Sequence, residues 1–67
     1  MTIITGETQV YGVIGNPVAH SLGPFMHNRA FESAGHPGVY VAFETHDIAA
    51  AIKGIRALNI QGISVTI

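Results

Sequence analysis

Val10-Tyr11-Gly12-Val13-Ile14-Gly15-Asn16-Pro17 is the stretch on which the fold turns. Val10 to Ile14 is a β-branched and aromatic run of the kind that favours a strand. Gly15-Asn16-Pro17 closes it with turn chemistry, because glycine permits positive φ and proline fixes its own. The stretch therefore reads as a buried strand that empties into a loop. Before it, Met1 to Glu7 is partly polar and reads as a loose end or edge segment.

After the loop the apolar period lengthens. Pro24 suits the first turn of a helix, where its missing N–H costs nothing. Phe25, Met26, Ala30, Phe31 and Ala34 then recur at helical spacing as far as Gly35, a natural C-terminal stop. Val39 to Phe43 is a second strand, flanked by Pro37-Gly38 and Glu44-Thr45. Thr45 or Asp47 can cap a second helix, in which Ile48, Ile52, Ile55 and Leu58 fall at i, i+4, i+7 and i+10 as one apolar stripe, with Lys53 and Arg56 facing water. Gly54 inside that helix costs roughly 1 kcal/mol relative to alanine, so either a neighbour packs closely on it or the helix is locally weak. Ile63 to Ile67 alternates as a third strand with one polar face.

The order is β-α-β-α-β, with connections too long for hairpins and suited to right-handed crossovers. The expected architecture is α/β, an open and mainly parallel sheet with helices packed on it. Ligands bind such sheets beyond the carboxyl ends of the strands, which directs attention to the loop after the first strand and to the end of the third.

Composition narrows the function classes. The 67 residues hold at most one small domain, with no cysteine to staple it. They are 48% hydrophobic and only 10% charged, so part of the surface expects company. Net charge is −1, and Arg29, Lys53 and Arg56 form no basic stripe, which argues against nucleic acid and anionic membranes. No basic segment leads into an apolar signal core, and no apolar run approaches the roughly 20 residues of a membrane span. A cytoplasmic protein is the expectation, and the lack of cysteine agrees with a reducing compartment.

The loop from Asn16 to His27 holds most of the polar candidates and runs into a helix N-terminus. Unpaired N–H groups and the positive dipole end there can hold a carboxylate or phosphate, with help from Ser21. The plainer alternative is that Ser21 caps the helix and Gly15 turns the chain. Gly12-Val13-Ile14-Gly15 lacks the G-x-G-x-x-G spacing that lets backbone reach a pyrophosphate, so no cofactor is expected on these residues. His20 and Ser21 are adjacent, their side chains diverge, and no carboxylate is spaced to orient the imidazole, which argues against a hydrolase triad. His20, His27, His36 and His46 show no i, i+4 pairing that would suit a metal. His20 and His27 are expected to hydrogen-bond and pin the loop, while His36 and His46 lie at element ends.

Tyr11-Gly12-Val13-Ile14-Gly15-Asn16-Pro17-Val18-Ala19-His20-Ser21-Leu22-Gly23-Pro24, followed by His27-Asn28, closely resembles the opening motif of shikimate dehydrogenases. Gly62-Ile63-Ser64-Val65-Thr66-Ile67 resembles their second motif, Gly-x-Asn-Val-Thr, which continues as Pro-His-Lys. The resemblance implies a two-domain enzyme that reduces 3-dehydroshikimate to shikimate with NADPH on the route to aromatic amino acids. Residues 1–67 would be part of its substrate-binding domain, with the NADP-binding Rossmann domain outside this chain. On the motif positions Ser21 would bind the substrate carboxylate and Thr66 a substrate hydroxyl. Two positions depart from the pattern. Gly23 stands where the family has a second serine, and Ser64 where it has asparagine, which trades an amide for a single hydroxyl. Quinate or an amino analogue is thereby left open as ligand. The family's catalytic lysine would fall about three residues past Ile67, so the chain alone is expected to be inactive. The alternative reading is a non-catalytic binding or assembly module that keeps the fold and self-associates through an exposed sheet edge.

Overall fold

Three short apolar runs pair in parallel because each of the first two is followed by a helix long enough to carry the chain back to the start of the next strand. The computed structural model describes residues 3–66. Its elements are β1 (Gln9–Gly15), α1 (Gly23–Ala34), β2 (Gly38–Glu44), α2 (Ile48–Ala57) and β3 (Gly62–Val65). The strand order is β2-β1-β3, and both pairings are parallel. Tyr11 lies opposite Tyr40 and Gly62, and Ile14 opposite Phe43 and Val65. The expected β-α-β-α-β sheet is therefore what forms. Ile67, expected as the last residue of the third strand, lies outside the described residues.

The central strand is covered on both faces, which is why its sequence does not alternate. Gly12, Val13, Ile14 and Gly15 are all buried. Each helix covers one face. Phe31 of α1 packs against Tyr11, ring centroids 5.0 Å apart. Ala51 and Ile55 of α2 face Ile14 and Phe43 across an apolar cleft of about 220 Å³. Val13, Ile14, Val18 and Tyr40 form the buried hydrophobic core among the described residues.

The caps follow the sequence. α1 ends at Gly35 with φ 68°, where the left-handed turn lets its N–H reach Glu32 O and the next N–H reach Phe31 O. Asp47 caps α2 by accepting from the Ala50 N–H at 3.0 Å, and the Thr45 hydroxyl accepts from the Asp47 N–H.

Several expectations need correction. The inner face of α1 is carried by His27, Asn28 and Phe31, whereas Phe25 and Met26 are 62% and 61% exposed. An apolar period marks a stripe but not its direction, and here polar side chains meet the sheet. The α2 stripe is only half used: Ile55 is half-buried, but Leu58 sits in the C-cap and is 74% exposed. Nothing packs on Gly54, around which a Cβ would find open space. Gly15 is not a positive-φ turn residue; it lies inside β1 and is small because β3 closes in beside it.

Candidate functional site

Register fixes which side chains share a face. Tyr11 and Val13 point to the α1 side, so their partners Tyr40, Gly62 and Ser64 do too, and Thr66 follows Ser64 by the two-residue period. β2 and β3 flank β1 on opposite sides, and α1 and α2, the crossovers that lead to them, diverge to opposite faces of β1. That divergence is the crevice in which open α/β sheets hold ligands.

The loop after β1 is held at this crevice by short bonds. The Asn16–Pro17 peptide is cis, Val18 is buried, and the Ser21 N–H donates to Val18 O at 3.0 Å. Across the crevice the Thr66 N–H donates to Ile14 O at 2.9 Å. A Cβ on Gly15 would lie 2.5 Å from the Thr66 carbonyl oxygen and 3.1 Å from Val18 Cγ1, so the missing side chain is what lets the end of β3 and the loop meet.

Ser21 and Gly23 are in direct contact: the Gly23 N–H donates to Ser21 Oγ at 3.1 Å. Leu22 is the N-cap of α1 and offers no side-chain bond, so the plain capping role expected of Ser21 reduces to this one bond next to the helix. An oxygen already accepting there leaves its O–H free to donate outward. Ser64 and Thr66 are exposed at the end of β3, and the Ser64 hydroxyl has no hydrogen-bond partner among the described residues. Ser21 is thus paired to Gly23 beside Tyr40 of β2, while Ser64 and Thr66 stand at the carboxyl end of β3, on the other side of β1, with Thr66 packed on Gly15.

The histidines divide differently from expectation. His27 does not pin the loop by a hydrogen bond; it stacks flat on the Tyr40 ring, centroids 4.2 Å apart and planes 11° apart. His20 is exposed and bonds to nothing among the described residues. His36 meets the Tyr11 hydroxyl at 3.1 Å, and His46 Nδ1 meets the Asn16 amide at 2.9 Å. No cluster of His, Asp or Glu among the described residues could hold a metal ion. Gly12 and Gly15 lie buried in the strand, with Val41 O and Thr66 O against them, so they make no cradle for a pyrophosphate.

Sequence reasoning missed Asn28 and Tyr40. Asn28 Nδ2 donates to Tyr40 O at 2.9 Å, and the Tyr40 N–H donates to Asn28 Oδ1 at 2.8 Å. The side chain thereby serves the outer edge of β2 as another strand would. Asn28 was quoted in the opening motif with His27, but nothing in the sequence showed that it would clamp Tyr40.

Three parallel strands joined by helices, one on each face, define the class: an α/β protein. The family model for the shikimate dehydrogenase substrate-binding domain matches residues 13–67. Shikimate dehydrogenase (NADP(+)) of Pyrococcus furiosus is 54% identical over 65 residues, which is 96% of this chain and 24% of that protein. The crystal structure of shikimate dehydrogenase from Aquifex aeolicus superposes with a TM-score of 0.93 at 45% identity, over 97% of this chain and 25% of that one. Shikimate 5-dehydrogenase from Listeria monocytogenes, solved in complex with shikimate and NAD, gives 0.90 at 44% identity, over 96% and 23%. The chain belongs to the shikimate dehydrogenase family, and it spans about a quarter of the length of these relatives.

Proposed function

We propose that the chain forms the carboxylate-binding part of the substrate site in an NADP-dependent shikimate dehydrogenase that interconverts 3-dehydroshikimate and shikimate. The observation that carries this is the Ser21 hydroxyl fixed by the Gly23 N–H in the loop after β1, in a chain that belongs to this family. Residues 1–67 are then part of the substrate-binding domain of a cytoplasmic enzyme.

Ser21 is built for the task. Its Oγ is fixed by the Gly23 N–H, and its proton is left to a substrate carboxylate. A hydroxyl donating to a charged oxygen makes a charge-assisted bond of about 1.5–3 kcal/mol. Thr66, positioned by its N–H bond to Ile14 O, takes a substrate hydroxyl, and Ser64 offers a neighbouring one. Bound NADPH supplies the hydride. Gly12 and Gly15 do not fit a dinucleotide, and the family resemblance implies a separate domain for the cofactor, so these residues are read as binding and orienting the acid.

The test is Ser21→Ala in the protein at the length its gene encodes. Shikimate affinity should fall roughly 10- to 150-fold while NADP+ affinity stays unchanged. Unchanged shikimate binding would reduce Ser21 to a structural residue and remove the reading.

A further inference from the structure

The loops that leave the carboxyl ends of β1 and β2 meet where they begin. The Thr45 N–H donates to Gly15 O at 3.0 Å, and one residue on in each loop the Asn16 amide nitrogen meets His46 Nδ1 at 2.9 Å. An amide nitrogen can only donate, so Nδ1 is the acceptor of this pair. His46 stands on fixed ground. The Thr45 hydroxyl accepts from the Asp47 N–H and donates to Asp47 O, and the Asp47 carboxylate accepts from the Ala50 N–H, so His46 lies within the turn that caps α2. The loop on the other side has no such anchorage of its own. Among the described residues every other hydrogen bond of residues 16–21 is local, reaching no further than Gly23.

We propose that His46 is a positioning residue for the loop after β1, tying it through Asn16 to the start of α2 so that Ser21 is presented in one place. The inference rests on the reading of Ser21 given above. Placement passes along the loop in short steps. Val18, 5% exposed, pins the middle of the loop by its side chain, and its C=O accepts from the Ser21 N–H at 3.0 Å. Asn16 lies two residues before Val18, so the His46 bond fixes the start of the segment whose middle Val18 fixes. Two fixed points leave the chain between them little freedom, and a loop ordered before binding loses less entropy when the acid arrives. With Asn16 released, only the Val18 side chain and the link to β1 would hold it. His46 thus acts on Ser21 from outside the loop, 30 positions from Asn16 in the sequence.

Titration calorimetry with shikimate tests this on the protein at its gene-encoded length, with Tm followed alongside. His46→Ala should weaken shikimate about threefold to tenfold, the worth of one exposed hydrogen bond, and leave NADP+ affinity unchanged. His46→Asn places an Oδ1 acceptor where Nδ1 stands and should recover binding to within about twofold. Ser21→Ala supplies the deciding background. Because His46 acts through Ser21, His46→Ala added to Ser21→Ala should cost no further affinity. Unaltered shikimate affinity in His46→Ala, whatever its Tm, would make the tie merely structural and overturn the inference. So would an equal loss in His46→Asn, or a loss that persists in the Ser21→Ala background. In each of these cases a loss from Ser21→Ala alone leaves the Ser21 reading standing. If Ser21→Ala binds shikimate as the unaltered protein does, or the unaltered protein does not bind it, both fall.

Discussion

Gly15 shows how a single absent atom sets the site. Its Cβ would meet the Thr66 carbonyl oxygen at 2.5 Å and Thr66 Cγ2 at 2.7 Å, and a backbone atom cannot step aside as a flexible side chain can. Gly15→Ala should therefore push the end of β3 outward and weaken the bond from the Thr66 N–H to Ile14 O. The expected cost is about 1–3 kcal/mol of stability, typical of overpacking, with a loss of shikimate affinity alongside. Urea unfolding and a binding titration on the same variant check both; an alanine accepted without loss of either would mean that β3 does not need this approach. Gly15 was visible in the sequence, but as a turn residue. Close approach across a sheet depends on which strand becomes the neighbour, and a linear reading cannot see that. The bond of Ser21 beside the helix start was legible, because a hydroxyl there has few local roles, whereas the clamp on Tyr40 was hidden inside an ordinary strand.

At the scale of elements, α1 is fastened to β2 mainly by polar contacts. Asn28 satisfies both the N–H and the C=O of Tyr40, a residue that is otherwise buried on the sheet's outer strand. Leaving a buried donor or acceptor unpaired costs about 1–3 kcal/mol each. Asn28→Ala should accordingly lower the unfolding free energy by about 2–4 kcal/mol. The exposed cap offers a contrast. Asp47→Ala removes one bond to the Ala50 N–H in solvent, and should cost only about 1 kcal/mol. Urea denaturation of the two variants side by side gives the comparison, and a larger loss from the cap than from Asn28 would contradict the clamp. Strands and caps were readable in the sequence because their signals are local: β-branched runs, Pro24 at a helix start, Gly35 and Asp47 at helix ends. The inward faces were less readable. Phe25 and Met26 mark an apolar stripe on α1 but point away from this sheet, and α2 leaves Ile48 and Leu58 largely uncovered.

For the whole molecule, the balance between core and surface governs how the chain behaves by itself. The buried hydrophobic core is confined to Val13, Ile14, Val18 and Tyr40 among the described residues, while Leu22, Phe25, Met26, Ile48, Leu58 and Val65 stand exposed. β3 has a neighbour on one side only among the described residues, so its other edge presents unpaired N–H and C=O groups beside Val65, which is 55% exposed. Such an edge is a template for another strand, and so much apolar surface on a small body favours association. Burial stabilises at about 25 cal/mol per Å², but ordering each residue costs more than about 1 kcal/mol, and in a chain this short the two nearly cancel. The 67-residue polypeptide, expressed alone, is therefore expected not to persist as a folded monomer at micromolar concentration. It is also expected to show no shikimate-dependent reduction of NADP+, since Gly12 and Gly15 are closed off by Val41 O and Thr66 O and offer a pyrophosphate no approach. Sedimentation equilibrium should find dimers or larger species, or else amide exchange should find little protection. Covering the exposed faces with the rest of a longer chain should reverse this, giving slow exchange throughout β1 and at the amides of β3 that bond to it. A compact monomer of the 67 residues with protected amides in all three strands would show that the small core suffices, and that the exposed apolar side chains need no partner.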